Sequence, residues 1–557
     1  MKMTGLAPGP TRDAQASGTA RRARPTLGRW LMWASPAAIA LYSPLALLAV
    51  NQLEVESFVA ARSVLASLGL AVAVTALCGL LLRPAEKAVV LACAIMIAFF
   101  TYGHIYDALK QFGPATSYLA RHRYLFPLDT LLIFGLAFLL ARTPTLRPAL
   151  ARWLTAFGWI LLAFPLIPLL QQQGRDWMSS WKERETSPST LAADGEDLPD
   201  VFYIILDGYG RSDILKTSYG FDNTPFLDFL RSRGFYVADK AMSNYSRTLL
   251  SLTSSLNMDQ LDQVLGEVNL NSVDRTPLYE QLHHNRVFGL FRSLGYSTVA
   301  FETGYHPTEL TDADEFLTPN YEDFGQSRAV YAGAGLNEFE GLFLQTTMAT
   351  VAFDFYLHDI QRRAPGVIDY EYAKHRTRVL FTISSLSDIA ARPSAHFVFA
   401  HIISPHPPFV FGPRGEKLIH QGVFSLGDGC CQGDDYVQRY VAQMQYLNGA
   451  LRVEIDEILE ASAGDVIIIL QGDHGPAGLL DWGEPSDAGI RDRMAILNAY
   501  HLPRAGADAL YPAITPVNTF RVILDRYFGG DFDLLEDASY FSATSGLSDM
   551  IRVAPSP

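Results

Sequence analysis

Five long apolar runs crowd the first 171 residues of this 557-residue chain and constrain its folding more than any other feature. They are Leu31 to Val50, Val64 to Leu82, Ala88 to Tyr106, Tyr124 to Ala141 and Trp153 to Leu170. Crossing a bilayer core about 30 Å thick takes about 20 apolar helical residues, and each run meets or approaches that length. In lipid a single run of this kind satisfies its backbone only as a helix. Pro36 and Pro44 in the first run are tolerable there, and Asp129 in the fourth has to face other helices or the interface. A cleaved leader fits poorly, because the first run is too long and four more follow it.

Basic residues give the orientation. Lys2, Arg12, Arg21, Arg22, Arg24 and Arg29 precede or open the first run, Arg83 and Lys87 follow the second, and Arg142, Arg147 and Arg152 follow the fourth. The positive-inside rule puts the N-terminus and both loops in the cytoplasm, and five crossings then leave the rest outside. Arg121 and Arg123 oppose this assignment and are outnumbered. The expected organisation is a disordered cytoplasmic N-terminus (1–28), a transmembrane helical domain (29–171), a juxtamembrane linker rich in Gln, Ser and charge (172–199), and a catalytic domain (200–557).

A net charge of -14 argues against nucleic acid, whose phosphates are held by basic surfaces. Cys78 and Cys93 lie in apolar runs and read as packing residues. Cys430 and Cys431 are adjacent, which allows a vicinal disulfide, two free thiols or an external partner. No CxxC zinc spacing occurs.

Beyond residue 199 the pattern changes to short apolar strands between amphipathic helices. VFYIIL (201–206), STVAF (297–301), HFVFAHII (396–403), DVIIIL (465–470) and MAILNAY (494–500) read as mostly buried strands. Helical patterns cover 224–233, 369–391 and 434–461. This alternation predicts a largely parallel sheet with helices on both faces, whose ligands bind beyond the C-terminal strand ends.

Four segments there carry chemistry. Asp207 follows the strand VFYIIL and precedes Gly208, which alone reads more readily as a turn than as a ligand. Asp473 and His474 follow DVIIIL in the same way, and adjacent carboxylate and imidazole groups suit a divalent cation, or equally a cap beside a satisfied histidine. In SNYSRTLLSLTSS (243–255), Thr248 is placed to stand at a helix N-terminus as a nucleophile, with Ser246 and Ser251 as rivals and an ordinary cap as the plain reading. In HIISPHPPF (401–409), flanking prolines fix the backbone around His406, which reads as a substrate contact or as a loop histidine. His401, inside the strand, reads as structural unless a second metal claims it.

The ordered set of strand-Asp207-Gly, the Thr248 segment, the SPHPPF loop and strand-Asp473-His474-Gly resembles the sulfatase-like hydrolase/transferase group of the alkaline phosphatase superfamily. The layout also resembles membrane-anchored lipoteichoic acid synthases and lipid A phosphoethanolamine transferases. The likeness covers about residues 198–530 and, more loosely, the apolar anchor. It implies an α/β fold, with about five transmembrane helices before an α/β/α alkaline phosphatase-like domain. It also implies one divalent metal (Mn, Zn, Mg or Ca) on Asp207, Thr248, Asp473 and His474, Thr248 as covalent nucleophile, and His406 against the substrate. Two departures stand out. Those transferases usually carry Glu where this chain has Asp207, and no second histidine follows His474 closely enough to complete a two-zinc site.

The C/S-x-P-x-R setting of formylglycine sulfatases is also missing. The resulting expectation is double displacement at phosphorus, with transfer from a lipid-linked donor to an envelope glycan or lipid at a bacterial inner membrane. The same residues would serve a phosphodiesterase or sulfuric ester hydrolase, or persist in a non-catalytic envelope scaffold.

Overall fold

The computed structural model describes residues 27–555 except 53, 54, 56, 112, 113, 145–147, 180–197, 267–274, 322–336, 353–369, 419–423, 429, 432, 434, 505 and 544–549. All five apolar runs are helical: α1 (Leu27–Asn51), α2 (Ala61–Leu81), α3 (Ala85–Gln111), α5 (His122–Arg142) and α6 (Pro148–Ser179), with a short α4 (Pro114–Ala120) between the third and fourth. Among the described residues, five helices are long and apolar enough to cross a membrane. The helices overrun the expected limits, because polar residues at their ends extend a helix once its apolar centre has nucleated it. Thus Leu27 and Gly28, expected in the disordered stretch, begin α1, and α6 continues to Ser179 across the expected linker boundary at residue 171. Residues 1–26 and the linker segment 180–197 lie outside the described residues.

Helix α1 packs against α2, α3 and α6. At one end of the bundle the buried Lys87 ammonium donates to the Thr143 carbonyl, which brings the two basic loops together.

The second unit is built on a seven-stranded sheet. Its strands are β1 (Asp200–Leu206), β2 (Tyr236–Val237), β3 (Ser297–Phe301), β4 (Glu315–Leu317), β5 (His396–Ile402), β6 (Val466–Gln471) and β7 (Asn498–His501), in the order β2-β7-β6-β1-β5-β3-β4. A separate pair joins β8 (Ser539–Phe541) to β9 (Ile551–Val553). Pairing is parallel from β6 through β4, and β7 runs antiparallel to both neighbours.

Strand β1 explains why the sheet is sandwiched. Phe202, Ile204 and Leu206 enter a core shared with the Tyr436–Ala461 helix, while Val201, Tyr203 and Ile205 enter a core with Phe291 and Phe520. Side chains alternate across a strand, so a continuous apolar run needs cover on both faces, each large residue contributing about 1.5–3 kcal/mol.

Three local readings change. MAILNAY was expected as one strand over 494–500, but the strand is Asn498–His501 and antiparallel. Ala495 and Ile496 instead make single bridges to Met242 and Gly210, filling the space behind the strand ends. The helix expected over 369–391 breaks at Ser385 into Tyr370–Ser384 and Leu386–Ala390. Third, a helix that no periodicity announced, Glu338–Thr346, leaves the sheet unit and docks on the bundle.

Asn337 caps that helix in a capping box with Glu340, and Glu340 takes a two-point ion pair from Arg62 at 2.6 Å on each arm. Phe343 buries its ring 6.1 Å from Phe100, and Met348 N donates to the Phe99 carbonyl at 2.7 Å. The approach is so close that a Cβ at Gly103 would overlap the Gln345 backbone, which is why α3 carries glycine there.

Candidate metal centre and active-site cavity

The strands β6, β1 and β5 are neighbours at the middle of the sheet, and their C-terminal ends deliver the chemistry. Asp207 is the first residue past β1. Behind it Gly208 adopts φ +74°, a left-handed turn that a side chain would strain. The Asp207 amide donates to the Ile402 carbonyl at 3.0 Å, and the His406 amide donates to the Asp207 carbonyl at 2.9 Å. The first carboxylate is therefore fastened to β5 and to the SPHPPF loop.

Asp473 and His474 follow β6. Asp473 Oδ1 accepts from Gly208 N at 3.1 Å and from His474 N at 2.9 Å, which fixes the carboxylate and leaves Oδ2 buried without a partner. Asp207 Oδ1 is likewise buried without a hydrogen-bond partner. His474 Nδ1 lies 2.9 Å from the Gly475 carbonyl, so its proton belongs on that nitrogen and the Nε2 lone pair faces inward. Nε2 stands 3.3 Å from Asp473 Oδ2 and 3.5 Å from Asp207 Oδ1.

One ligand atom from each of Asp207, Asp473 and His474 lies within 4.8 Å of the others. Two buried carboxylate oxygens without donors are costly, and a divalent cation between them and the imidazole removes that cost. The residues therefore fit a metal, and two carboxylates with one imidazole suit zinc, manganese or magnesium chemistry.

Thr248 is the first residue of the helix Thr248–Asn257, entered from an extended Arg247 at φ -135°, ψ 142°. The leading amides of such a helix have no partners within it. Thr248 Oγ1 is 3.1 Å from His474 Nε2. The rival serines point elsewhere: Ser246 Oγ accepts from Ser542 N at 3.2 Å, and Ser251 Oγ is 3.2 Å from Ser243 Oγ, both fully buried.

His406 Nδ1 is 2.6 Å from the Pro407 carbonyl and Nε2 is 3.1 Å from Asp428 Oδ1, so both ring nitrogens have acceptors. Burial works against the charged ring, but the Asp207 and Asp428 carboxylates outweigh it and raise the imidazole to about 9. Burial would likewise raise the Asp207 carboxyl, yet His406, His401 and His474 hold it well below the usual carboxylate range. His474 is shifted down, by burial first and then by the Arg493 guanidinium. His401 stands behind the centre, with Nδ1 2.9 Å from Thr308 Oγ1 and Nε2 3.4 Å from Asp207 Oδ2.

Sequence reasoning missed an arginine–aspartate clamp. Arg493, almost wholly buried, donates to both oxygens of Asp428 at 2.9 and 3.1 Å and to the Ser246 carbonyl at 2.7 Å, and its Nη2 is 3.1 Å from His474 Nε2. Asp428 stands in the Gly- and Asp-rich stretch singled out only for its cysteines, and Arg493 in a helix with no apolar stripe, so nothing in the spacing joins them. Cys430 and Cys431, just past Asp428, are disulfide-bonded.

A cavity of about 430 Å³ opens over these groups. Asp207, Thr248, His406, His474, Asp428 and Arg493 line it, and so do Arg247 and Arg275, which the sequence had not marked.

The sulfatase family model matches residues 199–513, more than half of the chain. The chain belongs to that family. Among solved structures it is similar to the zinc complex of the C-terminal periplasmic domain of EptC from Escherichia coli, at 12% identity and TM-score 0.39, covering 65% of this chain and 95% of that one. It is similar also to the integral membrane lipooligosaccharide phosphoethanolamine transferase A of Neisseria meningitidis, at 11% identity and TM-score 0.37, covering 89% and 95%. Ps i-CgsB bound to k-i-k-neocarrahexaose aligns at 11% identity and TM-score 0.36, covering 60% and 73%. No curated protein matches the sequence. With so little identity, the function has to be read from the site.

Proposed function

We propose that this chain is a membrane-anchored, metal-dependent enzyme that moves a phosphoryl-linked group from a lipid donor to an envelope glycan or lipid, with its catalytic unit over residues 200–557 on the outer side of a bacterial inner membrane. One observation carries the reading. The cavity lined by Asp207, Thr248 and His474 is lined also by Asn51, the last residue of α1, by Val55 just beyond it, and by Phe339 and Leu342 of the docked helix. A pocket that is polar at the ligands and apolar at the bundle suits an amphiphile, with the phosphoester at the first end and the hydrocarbon-bearing part at the second.

Asp207, Asp473, His474 and Thr248 would hold one divalent ion, which supplies positive charge for an attacking hydroxyl oxygen and for the phosphoryl oxygens. Thr248 Oγ1 forms a bond to phosphorus while the bond from phosphorus to the donor's leaving oxygen breaks. The Thr248 proton passes to water, and the leaving oxygen takes a proton from His406. An acceptor hydroxyl then attacks the same phosphorus and gives its proton to His406, which restores the imidazolium, while the Thr248 oxygen leaves and takes a proton back from water. Water in place of the acceptor makes the same cycle a phosphodiesterase. Sulfate-ester hydrolysis is disfavoured, since Ser246-Arg247-Thr248 lacks the proline of the formylglycine setting.

The test uses the full-length protein in detergent, incubated with a membrane lipid extract and a divalent metal, followed by mass measurement of the 243–255 peptide. An adduct on Thr248 is expected in the wild type, is absent in Thr248→Ala, and persists in part in Thr248→Ser, which keeps the hydroxyl. An adduct on Ser246 or Ser251 instead would overturn the assignment.

A further inference from the structure

Arg247, Arg275 and Arg493 give the cavity a cationic lining. Arg247 sits immediately before the proposed nucleophile, with its guanidinium carbon 4.1 Å from the centre of the Trp482 ring. Arg493 flanks the same ring at 5.3 Å. The two arginines differ in their partners. Arg493 has both oxygens of Asp428, a carboxylate already shared with His406.

Arg247 has one neutral acceptor, the Ala543 carbonyl at 3.0 Å, and its Nε is buried without a partner. Its nearest carboxylate among the described residues is Asp428 at 4.0 Å, too far for a hydrogen bond. Arg275 brings a second guanidinium to the same wall. A guanidinium keeps its positive charge at neutral pH.

A partly buried guanidinium stacked on an indole, with an idle N–H, in a cavity open to ligands, is a binding group for a planar or tetrahedral oxyanion. We propose that Arg247, with Arg275 beside it, forms a second-anion subsite, so that one of the two substrates carries a phosphate or similar oxyanion next to the ester that reacts. This rests on the phosphoester reading above and adds the substrate's charge pattern to it. A neutral hydroxyl-bearing neighbour would leave the Arg247 Nε without an anionic partner. A cavity of about 430 Å³ has room for both groups.

The test is a calorimetric titration of the full-length, metal-loaded protein in detergent with two matched probes, propyl phosphate and propane-1,3-diol bisphosphate. The bisphosphate is expected to bind at least about tenfold more tightly to the wild type, the gain of one further charge-assisted contact. In Arg247→Gln that ratio falls to within about threefold, and in Arg247→Lys, which keeps the charge and loses the fork, it lies between. Equal binding of both probes by the wild type, or a wild-type ratio preserved in Arg247→Gln, would overturn the subsite. Because the readout is binding, it stands or falls separately from the Thr248 adduct. A donor lipid and an acceptor are then told apart by which of them competes with the bisphosphate, competition by neither counting against the proposal.

Discussion

Asp207 and Asp473 each bury an oxygen that no donor satisfies, and their ligand atoms lie within 4.8 Å together with that of His474. Without a cation such a pair destabilises the fold, and with one it becomes a source of stability. Chelation should therefore lower the thermal midpoint of the full-length protein, and a metal at about a thousand times its dissociation constant should restore about 4 kcal/mol. Asp473→Asn separates the two effects. The amide oxygen can still accept from Gly208 N and His474 N, so the variant should fold, bind metal at least about 100-fold more weakly, and in chelator be no less stable than the wild type. Full metal occupancy by mass spectrometry would remove the assignment. A second residue-scale prediction concerns Asp492, buried against Tyr219 and the Leu479 amide, whose carboxyl burial pushes up to about 7. The folded protein keeps a proton there that an unfolded chain releases near pH 4. The stability this gives is full below about pH 4 and declines as pH rises to about 7. Asp492→Asn should flatten that part of the midpoint-against-pH curve, and an unchanged slope would show that Asp492 does not titrate there.

The helix Glu338–Thr346 is the element through which the sheet unit grips the bundle, and Gly103 is the place where the grip is closest. Gly103→Val should push the helix off α3 without touching the metal ligands. Turnover of a lipid donor should then fall at least about tenfold, while a water-soluble phosphodiester is turned over within about threefold of wild type. Equal losses on both substrates would make the docking a matter of folding alone. This helix also marks where reading the sequence stops. Strands β1 and β6 are legible because each is a continuous apolar run ended by Asp or Gly-Asp-His, and a doubly covered parallel strand has no other pattern. EFEGLFLQT is nine residues long, and its apolar side faces a membrane helix, so no soluble-core periodicity distinguishes it. The Asp428–Arg493 clamp was invisible for a different reason: an ion pair spanning 65 residues is created by the fold, and neither partner's neighbours encode it. Thr248 was legible only as one of three hydroxyls, and it takes the helix start to show that Ser246 and Ser251 turn away from the cavity.

At the scale of the whole molecule the two ends of the bundle are chemically different. At one end Lys87 holds the Thr143 carbonyl, joining the loops that carry Arg83, Arg142 and Arg152. At the other, Arg62 is neutralised by Glu340 and the cavity opens against Asn51 and Val55. In the orientation proposed above, the positive-inside rule retains the basic end in the cytoplasm, and five crossings would put the sheet unit on the far side. A lipid-linked donor meets the cavity only if its headgroup lies in the leaflet on that side, so orientation and substrate access are one question. A reporter that works only outside the cytoplasm, fused after residue 199, should be active, and the same reporter fused after Arg83 should be silent. Replacing Arg83, Lys87, Arg142 and Arg152 by Gln removes the retained charge and should produce a mixed population in which part of the 199 fusion becomes silent. Activity of the Arg83 fusion in the otherwise native chain, with silence at 199, would invert the topology and with it the lipid-donor reading, because the cavity would then face the cytoplasmic leaflet.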